Sequence, residues 1–118
     1  MYLAVERLDD VVIVRPRVEL MDAAAAAELV ARLPDAVGGA RQLVLDLSHT
    51  AVVDGGGLLG LCACLERVAG AGLCGLPARA LAAARLLGIT GRLTVWESAA
   101  EALRALGFPR AIPLAAAT

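Results

Sequence analysis

The chain holds one histidine (His49), three cysteines, three aromatic residues and no lysine. So small a stock of His and Cys leaves no Cys/His zinc site, and no metal or cofactor is called for. Cys62 and Cys64 fall on one expected helix, where a separation of two residues turns them about 200° apart. Cys74 falls on an expected strand. An odd cysteine count without a paired loop pattern reads as small buried hydrophobes. A cysteine nucleophile using His49 as base would lack a third group to orient it, so no enzyme is expected. His49 itself reads as a solvated loop residue.

Charge is also sparse. The 11 basic residues are all arginines, scattered singly between Arg7 and Arg110, and the formal net charge is −1 with a pI near 5.7. No basic stripe forms, which argues against a nucleic-acid partner. No apolar run reaches the roughly 18 residues of a membrane span, because Asp54, Glu66 and Arg67 interrupt the stretch from Ala51 to Leu76. The start, Met1 to Arg7, enters a strand-like pattern with no basic region or cleavage site, so a cytoplasmic protein with nothing to remove is expected. What is abundant is apolar surface. Hydrophobic residues make up 59%, mean hydropathy is +0.74 and charged residues are only 19%, which excludes disorder and promises a core. At 118 residues there is room for one ordinary domain.

Tyr2 to Leu8 and the β-branched run Val11 to Arg15 flank Asp9-Asp10 and read as a hairpin closed by Arg15-Pro16-Arg17. Asp22 caps an Ala-rich helix, Ala23 to Leu33, expected to stop near Pro34 with Gly38-Gly39 beyond. Leu43 to Leu47 has the continuous apolar character of a strand buried in a parallel sheet. Asp54 caps a second helix from about Gly57 through Ala69, ending at Gly70 and Gly72. This helix is apolar nearly all round, which signals burial on two sides or a surface kept for a partner. Leu73 to Leu76 is a weak strand, Ala78 to Leu87 a helix with Arg79 and Arg85 as a solvated stripe, and Leu93 to Trp96 a last strand with Trp96 as an anchor. Ser98 and Glu101 form a capping box opening a helix to Leu106. The order β-β-α-β-α-β-α-β-α predicts an α/β fold with a single mixed, mostly parallel sheet and helices packed on it. The domain should span 1–107, with 108–118 an extended tail carrying Pro109 and Pro113.

The feature that calls for an explanation is Asp54-Gly55-Gly56-Gly57 at a helix start, since glycines there lose chain entropy without gaining contacts. Three readings compete. Gly55, Gly57 and Gly60 fit the dinucleotide fingerprint GxGxxG by letter, but no strand runs directly into Gly55, and Cys74 stands where an acidic residue would be needed. Bare amides at a helix N-terminus suit a nucleotide or other anion, although Asp54 opposes it. The third reading is a capped helix start that must press close to neighbouring backbone.

The stretch Leu43 to Leu58, LVLDLSHTAVVDGGGL, resembles the core of STAS domains, the family of bacterial anti-sigma factor antagonists. Their usual pattern is a hydrophobic strand, Asp-Leu-Ser, a few residues, then Asp-Ser-Ser-Gly-Leu opening a helix. Asp22-Ala23 with Glu28-Leu29 resembles the Leu-Asp-Ala and Glu-Leu of the family's first helix. Leu86 to Gly91 resembles its Leu-Leu-x-Leu-Thr-Gly, and Val95 to Leu103 its closing strand and helix. The likeness runs in order over nearly the whole chain.

That resemblance implies a protein-interaction module whose partner is an anti-sigma factor or related serine kinase. In the family the first Ser after the loop Asp accepts the phosphate that dissolves the complex. Here that position is Gly55 and the next is Gly56, so the switch is missing its hydroxyl and the loop resembles the unphosphorylated, binding-competent form. The expected binding residues are Asp22, Asp54, Gly55, Gly56, Gly57, Leu58 and Leu61, with Leu65 one turn on; the competing role for the leucines is core, and for Asp22 a plain N-cap. Ser48, Thr50 and Thr90 are substitute phosphoacceptors to be weighed. A structural subunit of a stress-signalling or transporter-associated complex is the alternative role, and a homodimer is left open.

Overall fold

A computed structural model of the chain describes residues 1–108; the expected tail from Pro109 onward lies outside the described residues. The hairpin forms as expected, from β1 (Tyr2–Leu8) and β2 (Val11–Arg17), turning at Asp9 with φ +53°. Pro16 does not close the strand but lies within it. It stands opposite Leu3, two residues past the end of the pairing with the next strand at Val14, so its missing N–H breaks no ladder bond there.

The main sheet has the order β1-β2-β4-β6-β7, adding β4 (Gln42–Asp46), β6 (Ala71–Cys74) and β7 (Thr94–Trp96). Only β1 is antiparallel; β2, β4, β6 and β7 run parallel. The helices α1 (Ala23–Val37), α2 (Gly55–Leu65) and α3 (Ala78–Leu86) cover one face, and α4 (Ala99–Ala105) the other. The α/β architecture with one mostly parallel sheet is therefore the observed one. A second sheet pairs two short parallel strands, β3 (Leu20–Met21) and β5 (Val52–Val53), which the sequence pattern did not reveal.

The larger core cluster joins Val12, Val14, Leu43 and Leu45 of the sheet to Leu29 and Leu33 of α1 and to Leu58, Leu61 and Leu65 of α2. The smaller one sets Val11, Ile13, Val44 and Cys74 against Ala102, with Leu103, Trp96 and Phe108 packed at its rim. Ser98 caps α4 by accepting the Glu101 N–H, while Glu101 reaches back to the Glu97 N–H.

Two helix ends differ from expectation. α1 continues past Pro34 to Val37, where Gly38 at φ +56° donates its N–H to the Pro34 carbonyl. Arg7 from β1 donates to the carbonyls of Ala36 and Val37, at 2.9 and 3.1 Å, so tertiary contacts satisfy the last turn that the proline would otherwise have ended. α2 begins two residues earlier than expected and ends at Leu65, because Arg67 and Val68 bond three residues back, to Cys64 and Leu65, and tighten into a turn before Gly70.

Candidate functional site

The site grows out of the small second sheet. Its register pairs Leu20 with Val52 and Met21 with Val53, so the residues that follow, Asp22 and Asp54, sit side by side. Both are extended, and both cap a helix in the same way. Asp22 Oδ1 accepts the Ala25 N–H and Asp54 Oδ1 the Gly57 N–H, each at 2.8 Å. The Met21 carbonyl ties the two starts together by accepting the Asp54 N–H at 3.1 Å. Two helix N-termini with acidic caps thus emerge together at the carboxyl end of the sheet.

The three glycines that open α2 do different things. At Gly57 a Cβ would overlap the Met21 carbonyl, so the residue is glycine because another backbone crosses it. At Gly56 a Cβ would stand 3.2 Å from the Ala23 side chain, a tight but yielding contact. At Gly55, the first residue of the helix, a Cβ would meet nothing within 4 Å among the described residues, and φ is not positive. Gly55 and Gly56 are exposed and Gly57 is buried.

Leu58 and Leu61 require a correction. They are 1% and 0% exposed, packed in the main core together with Leu65. An all-apolar helix gives no sign of which side faces in, and the close contact at Gly57 turns this set toward the sheet. The residue that α2 offers outward is Leu59, 53% exposed and one turn beyond Gly55. The spacing of four from the exposed glycine was the signal that could have found it. Leu20 and Val52, paired across the small sheet, are exposed as well; their two-residue strands are too short to show a period. Between α1 and α2 runs an open groove of about 450 Å³, lined largely by small side chains including Ala23, Ala27, Val30, Gly60 and Ala63.

Beneath the loop that leads to Asp54, the buried carboxylate of Asp46 accepts from Arg15 Nε at 2.8 Å and from the Ser48 N–H at 3.0 Å. Burial alone would raise this carboxyl, but the Ser48 and Arg15 donors outweigh it and hold it below its ordinary value. The Asp46 carboxylate thereby ties the start of the loop, at Ser48, to β2. Ser48 and His49 are exposed, and Thr90 is exposed on a 3₁₀ turn, Ile89–Gly91. Thr50 is 4% exposed with its hydroxyl 3.5 Å from the Pro16 carbonyl, so it is closed to modification.

The dinucleotide reading finds no support, since α2 is entered from the two-residue β5 and the position about 20 residues on is a buried cysteine of β6. Burial pushes the Cys62 thiol up to about 11 and the Cys74 thiol up to about 12, the chemistry of packing and not of nucleophiles. Among the described residues no group of three His, Cys, Asp or Glu could hold a metal ion, and no helix is long and apolar enough to cross a membrane.

The STAS domain family model matches residues 2–102. No significant match occurs among curated protein sequences. Among solved structures, an anti-sigma factor antagonist from Mycobacterium paratuberculosis superposes with a TM-score of 0.74 at 24% identity, over 88% of this chain and 92% of that one. The Bacillus cell fate determinant SpoIIAA in its phosphorylated form gives 0.59 at 19% identity, over 89% and 99%. A murine anion transporter, solute carrier 26 family member A9, gives 0.70 at 18% identity over 85% of this chain but only 18% of the transporter.

Proposed function

The chain belongs to the STAS domain family, and from that premise we propose that it is a protein-interaction module of the anti-sigma factor antagonist type, binding an anti-sigma factor or related serine kinase without a phosphate switch at Gly55. The observation that carries the reading is the open space at Gly55: the first residue of α2 is exposed, unforced in backbone and, among the described residues, free of neighbours to a side chain, yet has no hydroxyl. The contact surface on this reading runs from Asp22 and Asp54 over Gly55 and Gly56 to Leu59, with the groove between α1 and α2 beside it. Gly57, Leu58 and Leu61 serve from below as the packing that holds this surface in shape. The protein then works in the bacterial cytoplasm and acts on transcription only through its partner.

An anion or nucleotide is disfavoured at the same place. The two carboxylates already accept the Ala25 and Gly57 amides and add negative charge where an anion would sit. A structural role in a larger assembly draws on the likeness to a small part of a transporter, and the same surface would serve it.

The test is gel filtration of the purified chain with a purified anti-sigma factor kinase. A stable complex that Leu59→Arg abolishes, with the circular dichroism of the variant unchanged, is the expected result. Absence of any complex, or a complex indifferent to Leu59→Arg, would remove this surface from the reading.

A further inference from the structure

The two edges of the main sheet are unlike. β7 offers three residues, whereas β1 offers seven in unbroken register with β2, without proline or bulge. The two-residue turn makes Leu8 and Val11 a hydrogen-bonded pair, and the alternation of an antiparallel ladder then directs the backbone groups of Tyr2, Ala4, Glu6 and Leu8 toward β2. Leu3, Val5 and Arg7 turn theirs outward, to the side where the sheet has no further strand among the described residues.

Charged side chains usually guard such an edge, but both charges of β1 are engaged within the chain. Glu6 Oε1 pairs with Arg15 Nη1 at 3.1 Å, and Arg7 bonds the last carbonyls of α1. Glu6 and Arg7 stay exposed while so engaged, and beside them the apolar side chains of Tyr2, 63% exposed, and Val5, 44% exposed, stand at the surface. Along the α1 side of the strand, Leu3, Val5 and Ala36 line a shallow groove with one basic and one acidic side chain, Arg32 and Asp35.

We propose that this edge is a homodimer interface in which β1 pairs antiparallel with β1 of a second copy, extending the sheet across a twofold axis at Val5. The register centred there uses all seven residues and sets the outward backbone groups in phase: Val5 faces its own copy and Leu3 faces Arg7. On the opposite side of the sheet Ala4 meets Glu6 and Tyr2 meets Leu8, so no like charges stand directly opposed. The two grooves meet across the axis, each bringing one Arg and one Asp, which keeps the junction charge-balanced. A second copy is favoured over an unrelated strand because this self-pairing is complete in length, phase and charge. α1 stands between the axis and α2, so the dimer leaves the capped start of α2 uncovered in each copy and is bivalent.

The test joins light scattering after gel filtration with amide hydrogen exchange. The expected mass is twice 12.0 kDa, falling to the monomer on dilution, with the Leu3, Val5 and Arg7 amides protected only in the dimer and Ala4 and Glu6 protected in both. Val5→Pro removes an outward N–H and not a bond to β2, so it should yield a folded monomer. Val5→Lys should do the same through its charge, and stands as the reading if the proline variant does not fold. A wild type that stays monomeric at every concentration, or a dimer in which the Leu3, Val5 and Arg7 amides exchange freely or which survives Val5→Lys, would overturn the proposal.

Discussion

The two capped helices begin alike and then part. α1 follows Asp22 with five alanines and α2 follows Asp54 with three glycines, although both caps make the same 2.8 Å bond to the third residue. Packing explains only part of the difference. The Met21 carbonyl demands a glycine at position 57, the Ala23 side chain favours one at 56, and nothing demands one at 55. A bare helix start is therefore a structural necessity at one place and a free choice two residues away. On the proposed reading, the free one is the position of the family's phosphoacceptor.

That contrast can be pressed hardest through the two faces of α2. Leu61→Arg should unfold the domain, since an unpaired charge in the core costs about 4 kcal/mol or more, whereas Leu59→Arg should leave the urea midpoint nearly unchanged. Equal effects from the two would mean that α2 is oriented otherwise than described. Next in size is Gly57→Ala, expected to destabilise by about 3 kcal/mol because the added carbon must push backbone aside. Urea unfolding that finds it harmless would undo the account of why the glycines are there. A smaller effect tests the likeness itself: Asp22→Ala and Asp54→Ala should each cost about 1 kcal/mol, the loss of one N-cap. A large disparity between them in thermal unfolding would show that one carboxylate does more than cap. Smallest of all is Gly55→Ser, for which stability should be unchanged or raised by up to about 1 kcal/mol, as chain entropy is lost from the unfolded state without strain in the folded one.

Much of this was legible in the chain. The hairpin, the strand from Leu43, both Asp caps and the Ser98 box were marked by local chemistry, and the ordered STAS-like motifs fixed how they connect. What was not legible depended on contacts distant in sequence. Arg7 sustains the end of α1 from 29 and 30 residues away, which no local rule weighing Pro34 could anticipate. The β3 and β5 strands of two residues each carry no periodicity, yet they set Asp22 beside Asp54. The uniform apolarity of α2 hides its orientation, so the sequence leaves Leu58 and Leu61 open between contact surface and core and does not point to Leu59. The Asp46–Arg15 pair lay in plain view as letters, but its burial came only with the sheet that stacks β2 beside β4.

The central claim is that Gly55 leaves the binding surface intact and removes its switch. The direct measurement is intact-mass spectrometry of the wild-type chain and Gly55→Ser, each incubated with ATP and the purified anti-sigma kinase, followed by gel filtration of the mixtures. The account predicts an unmodified wild type that stays bound, beside a Gly55→Ser chain that gains one phosphate on the new serine and releases its partner. Wild-type phosphorylation at Ser48 or Thr90 with loss of the complex, or a bound Gly55→Ser chain that an active kinase leaves unmodified, would contradict it.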